Sequence, residues 1–81
     1  MKLKQVGSNM TELQLPDAHV LFSYETPVAA CIFGEGFIRT SQWYSQTTTR
    51  HINKWLNGVD APEAPQEAID ALVEVLKAKG E

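Results

Sequence analysis

The sequence is short of most features that announce a function. It holds one cysteine, which cannot close an intramolecular disulfide and so points to a reducing interior. Its longest apolar run, Val28 to Phe33, is far below the roughly 20 residues of a spanning helix. The Met-Lys-Leu-Lys start lacks the apolar stretch of a signal peptide. A cytoplasmic, non-membrane protein is therefore expected. Positive charge is scarce too: seven Lys and Arg face ten Asp and Glu, a net of −3, which removes the easy case for a basic nucleic-acid binder. No internal repeat or low-complexity tract is visible.

What remains is a single domain spanning residues 1–81. About 60% of the unfolded surface can be buried at this size, enough for one core with little margin. The 43% hydrophobic content argues against disorder. The first 40 residues carry β patterning. Strands are expected at about 11–15 and 19–25, where Val20, Phe22 and Tyr24 alternate with Leu21, Ser23 and Glu25. Thr26-Pro27 should interrupt the ladder, because proline donates no backbone hydrogen bond. The run 28–33 is apolar at every position and reads as a central strand covered on both faces. Gly34-Glu35-Gly36 supplies a turn, and 37–40 returns as its partner. With strands on both sides and no Lys-Ser/Thr, those glycines favour a turn over a phosphate loop.

From Ser45 the period becomes helical. Thr48, Ile52, Trp55, Leu56 and Val59 share one face, and Gly58 stands where a left-handed cap is wanted, so a helix is expected at about 48–57. Ser45, Thr47 and Thr48 are its candidate N-caps. Gly58 to Pro65 reads as a helix–helix connection. The last helix, about 65–79, buries Ile69, Leu72, Val73 and Leu76 and loads acids at its start and Lys77 and Lys79 at its end. The expected fold is α+β: a small antiparallel sheet of three to four strands, then two helices packed on one face. Such helices would leave a second apolar sheet face open, a warrant for a homo-oligomer or a partner.

Chemistry is harder to place. Cys31 invites a nucleophile reading with His19 or His51 as base, yet it lies mid-run in the most apolar segment, where a thiol is usually a small core hydrophobe. Asp17, His19 and His51 lack paired metal-ligand spacing. No catalytic constellation, metal site or cofactor is expected, and the chain reads as non-enzymatic. A better constellation surrounds the helix start, where free N–H groups and hydroxyls favour an anion. Thr47, Thr48, Arg50, His51 and Lys54, with Arg39 from the preceding strand, form a candidate phosphate or nucleic-acid contact. The simpler reading is that the hydroxyls cap the helix, Trp43 or Tyr44 plugs the core, and the cations are solvated. Three phosphate contacts would give a salt slope of only about −2.7, weak for an autonomous binder. Trp55, central on the apolar stripe, reads as core.

The segments Leu21-Phe22-Ser23-Tyr24, Thr26-Pro27-Val28-Ala29, Arg39-Thr40, Tyr44-Ser45, Thr47-Thr48, Arg50-His51-Ile52 and Trp55-Leu56 resemble a small domain of short tailed-bacteriophage proteins. The resemblance covers about Leu21 to Gly58. It implies a phage origin and the infected cell's cytoplasm, and no mechanism. The leading expectation is thus a protein–protein interaction module that binds a host or phage protein, with nucleic-acid or phosphate binding as runner-up. A small enzyme with a nucleotide at the Thr47–Arg50 helix start comes third. The charge is split along the chain. Residues 1–58 carry Lys2, Lys4, Arg39, Arg50 and Lys54 against Glu12, Asp17, Glu25 and Glu35, a net of +1. Residues 59–81 carry Lys77 and Lys79 against Asp60, Glu63, Glu67, Asp70, Glu74 and Glu81, a net of −4. The two halves are candidates for complementary pairing, within the fold or between subunits.

Overall fold

Short turns leave the first five strands no partner but their neighbours. In the computed structural model, which describes residues 2–80, β1 (Lys2–Gly7), β2 (Met10–Leu15), β3 (Ala18–Ser23), β4 (Thr26–Ile32) and β5 (Gly36–Thr40) form an antiparallel meander. A parallel neighbour needs a crossover. Helix α1 (Gln46–Leu56) supplies it and returns the chain so that β6 (Glu63–Ala64) lies parallel to β5. Helix α2 (Gln66–Gly80) follows. The expected α+β class is present. The sheet, however, has six strands in chain order and is mixed, where three or four antiparallel ones were expected. Residues 1 and 81, the ends of the expected domain, lie outside the described residues.

The larger correction concerns the layers. The helices pack on opposite faces of the sheet. Leu13, Leu15, Ala18, Val20 and Ala30 join Ile69, Val73 and Leu76 of α2 in one cluster. Met10, Leu21, Val28 and Ala29 join Ile52 and Leu56 of α1 in the other. Val20 pairs with Ala30 and the next residue, Leu21, with Ala29, and successive strand side chains point to opposite faces. The continuous apolar run of β4 therefore serves two helices, and the open second face expected to drive oligomerisation is occupied by α1. In β3, Leu21 and Ser23 are as buried as Val20, so its alternation does not mark a solvent side.

Pro27 belongs to β4. The register jumps from Leu21↔Ala29 to Phe22↔Pro27, so Val28 is a bulged residue without a partner. A bulge admits a proline that a regular ladder would not, and it turns both Val28 and Ala29 toward α1. The turn before β4 is Tyr24-Glu25, with Tyr24 at φ 58, an uncommon backbone for a bulky residue. Its N–H donates to Asn9 O at 2.7 Å. Helix α1 begins two residues earlier than expected, capped by Ser45, whose side chain accepts from Thr48 N, and Asn57 takes the left-handed C-cap at φ 51. Glu63-Ala64, expected within a connection, pairs with Arg39 and Thr40. Pro65 precedes α2 and accepts from Ala68 N and Ile69 N.

Candidate functional site

The six candidate anion contacts separate into two groups. Thr47, Arg50 and Lys54 are exposed on the outer side of α1. They share it with Gln46, Asn53 and Asn57, and the helix carries no acidic residue. Thr48 and His51 are turned inward and buried. Arg39 lies between, half-buried on β5: its Nη1 donates to Asn53 Oδ1 at 3.3 Å, while its Nε is buried without a hydrogen-bond partner. The sheet register sets the same sign of charge on this side. Lys4 pairs with Glu12 and Lys2 with Gln14, residues on the α1 face, so all five cations of residues 1–58 stand on that side. Glu12 and Glu63 are acids of the same face. The acidic face of α2, with Glu67, Asp70 and Glu74 exposed, is on the opposite side of the sheet. Placement thereby keeps the α2 acids from those cations, and of the acids of residues 59–81 it is Glu63 that lies beside one of them, Arg39.

The inward group forms a buried chain of hydroxyls ending on an imidazole. Ser45 Oγ accepts from Thr48 N at 3.1 Å and donates to Thr48 Oγ1 at 3.3 Å. Thr48 Oγ1 lies 3.0 Å from Ser23 Oγ, which lies 2.7 Å from His51 Nδ1. The arrangement that uses each hydrogen once has Thr48 donating to Ser23 and Ser23 to His51 Nδ1, leaving the imidazole proton on Nε2. A Ser–His pair at this distance is the starting geometry of a nucleophile and its base. Here the hydroxyl is sealed: Ser23 is only 2% exposed. The chain ties α1 to β3. Ser23 was not singled out from sequence, and its signal was a serine at a position where β3 buries both faces.

A second polar cluster lies on the same face. Glu12 accepts from Trp55 Nε1 at 2.8 Å and from Gln14 Nε2 at 2.7 Å, and sits 3.7 Å from His19 Nδ1. Burial pushes its carboxyl up, but the two hydrogen bonds and the charges of His19 and Lys4 outweigh it and hold the group below the ordinary glutamate value. His19 pairs across the sheet with Cys31, so Glu12, His19 and Cys31 occupy consecutive strands. Among the described residues, no group of three or more His, Cys, Asp or Glu could hold a metal ion. Trp55 is half-buried, packs edge-on to Phe37 and belongs to the α1 cluster, as its place on the stripe suggested. Trp43 and Tyr44 do not plug the core. Both are exposed, because residues 41–45 link β5 to α1 outside either apolar cluster.

On the α2 face the helix leaves part of the sheet bare. Leu3, Thr11, Leu13, Phe22, Tyr24, Glu25 and Lys77 line a groove of about 460 Å³. It continues past Thr11, Tyr24 and Glu25 into a more polar hollow formed with Gln5, Asn9 and Thr26. Leu3 and Tyr24 are exposed at its rim. Among the described residues no helix is long and apolar enough to cross a membrane. A model described as a family of unknown function (DUF8033) matches residues 1–71, which takes in all six strands, α1 and the start of α2. No curated protein and no solved structure matches the chain.

Proposed function

The chain belongs to the DUF8033 family of unknown function, so we propose its role from its own surfaces: a small, non-enzymatic protein–protein interaction module. The observation that carries this reading is the groove beside β1, where apolar Leu3 is exposed at the open edge of the sheet and Tyr24 is exposed at the β3–β4 turn. Exposed apolar surface beside unpaired strand backbone is what a partner uses. The Ser23–His51 pair supports no competing catalytic reading because it is enclosed. The resemblance to tailed-bacteriophage proteins supplies the setting, a partner of host or phage origin met in the cytoplasm. A tagged chain should retain such a partner, and Leu3→Glu should release it while Arg50→Ala/Lys54→Ala does not. A monomer with no retained partner refutes the module; a mass that rises with concentration assigns the groove to a second copy.

A second reading, nucleic-acid or phosphate binding, is favoured by the cations gathered on the α1 side and the acid-free outer face of α1. Arg39, Thr47, Arg50 and Lys54 would make the contacts, whereas Thr48 and His51 would only shape the helix. A mobility shift at ~50 mM salt, lost in Arg50→Ala/Lys54→Ala, supports it, and no shift removes it, since low salt favours the electrostatic contribution.

A further inference from the structure

The sheet has two edges of unequal kind. β6 is two residues long and covers only Arg39 and Thr40, leaving Gly36 to Ile38 of β5 beside it, and so short and stepped an edge offers little to pair with. β1 runs for six residues and is exposed along most of them. Its free backbone groups follow from the β2–β3 hairpin. Leu15 and Ala18 flank a two-residue turn, and Tyr24 N donates to Asn9 O at the far end of the same ladder. Hydrogen-bonded pairs alternate along an antiparallel ladder, so Leu13 and Thr11 bond to β3, while Glu12 and Gln14 bond to β1. Lys4 and Lys2 are the partners of Glu12 and Gln14. The N–H and C=O groups of Leu3 and Gln5 therefore point out of the sheet.

We propose that β1 takes up an extended segment of a partner protein as a seventh strand, one that alternates apolar side chains about a central acid. The proposal rests on the interaction-module reading and names that partner's chemistry. Residues set opposite Leu3 and Gln5 would project on the α2 side, where the groove walled by Leu3, Leu13, Phe22 and Tyr24 receives apolar groups. The residue between them, opposite Lys4, would project on the α1 side, beside Lys2 and Lys4. Among the described residues neither lysine has a carboxylate within ion-pair distance, and Glu12 is already held by Trp55 and Gln14. Lys4 faces Glu12 of β2, and an acid there gives it a second opposite-charge neighbour, on its open side. The same lysines turn away a second copy, because β1 against β1 would set lysine beside lysine, a common guard on natural edge strands.

The test uses the full chain and a capped peptide, Thr-Val-Asp-Val-Thr, followed by calorimetry and by amide exchange. Binding should slow exchange at Leu3 and Gln5 and weaken by about tenfold or more when lysine replaces the aspartate, as expected for a close charge pair turned repulsive. N-methylation of either valine amide should weaken binding, since residues set opposite Leu3 and Gln5 in an antiparallel pair turn both amides toward β1, whereas N-methylation of the aspartate amide, which faces away, should not. Leu3→Pro should abolish binding yet leave the fold intact, because β2 does not use that N–H and edge strands tolerate proline; Leu3→Ala, which keeps the N–H, should retain part of it. Equal binding of the lysine peptide, indifference to both valine N-methylations, or protection at Arg50 and Lys54 instead would overturn the proposal. So would no binding at millimolar peptide. If the peptide fails while Leu3→Glu still releases a retained partner, strand addition is wrong and the module stands; if both fail, both readings fall.

Discussion

Ser23→Ala separates a structural histidine from a catalytic one. The hydroxyl touches two buried groups, His51 Nδ1 at 2.7 Å and Thr48 Oγ1 at 3.0 Å. Thr48 can turn its hydroxyl back toward Ser45 Oγ, 3.3 Å away, so its loss is small. His51 Nδ1 loses its partner at a residue only 9% exposed, and an unsatisfied buried polar atom costs about 1–3 kcal/mol. Taking about 2 kcal/mol, a domain of this size should melt about 8–16 °C lower. Thermal and urea unfolding measure this directly. Removing both polar partners should hurt less than removing one, so Ser23→Ala/His51→Leu should recover at least half of the loss. A cost below about 0.5 kcal/mol, the range of ordinary surface changes, with no recovery in the double variant, would refute the network as the tie between α1 and β3.

Ile69→Ala and Ile52→Ala empty opposite faces of the sheet, at positions 0% and 3% exposed. Each should cost about 2–5 kcal/mol, and because they share no cluster their costs should add within about 0.5 kcal/mol in urea unfolding of a stabilised background. Gly34 sits at φ +86 with open space around its Cα, so Gly34→Ala should cost about 1 kcal/mol from backbone strain alone, and Gly34→Asn less. For Glu12, the folded carboxyl titrates below the unfolded value of 4.5. Its stabilisation is present at neutral pH and lost as pH falls through the folded value. Glu12→Gln should therefore flatten the decline of melting temperature as pH falls below about 5, and an unchanged slope would mean that Trp55 and Gln14 do not stabilise the charged form.

Residues with a one-sided environment could be read from the sequence, and residues with two environments could not. The stripe of α2 faces a sheet on one side and water on the other, so Ile69, Val73 and Leu76 announce themselves. The centre of β4, Val28 to Ala30, is buried because two helices cover it. The run does give away a central strand, although Cys31 and Ile32 are half-buried and Phe33 is exposed beyond the strand's end. Its second helix was harder to see, since α1 buries Thr48 and His51 along with Ile52 and Leu56, and those polar residues narrow the apparent stripe. β1 offered no pattern for the opposite reason. Exposed on both faces, it has nothing to alternate between, and its Lys2, Leu3, Lys4 and Gln5 could belong to any loop. β6, at two residues, exists only because α1 brings it beside β5. Ser23 became visible as a partner only when His51, 28 positions further along the chain, was folded back onto β3.

Layering also changes the meaning of the acidic total. A net of −3 suggests a molecule that repels anions everywhere, but the sheet divides the charge. Lys2, Lys4, Arg39, Arg50 and Lys54 stand on the α1 side, and Glu67, Asp70 and Glu74 on the α2 side. The separation exceeds the thickness of a sheet and its helices, roughly 10 Å per layer, comparable to the screening length of about 8 Å in physiological salt. Each face therefore acts on a partner largely through its own sign. The acid of a strand added at β1 would lie on the α1 side, across the sheet from the acids of α2. The edge lysines distinguish an acidic strand from a basic one at the place where the backbone of β1 is free.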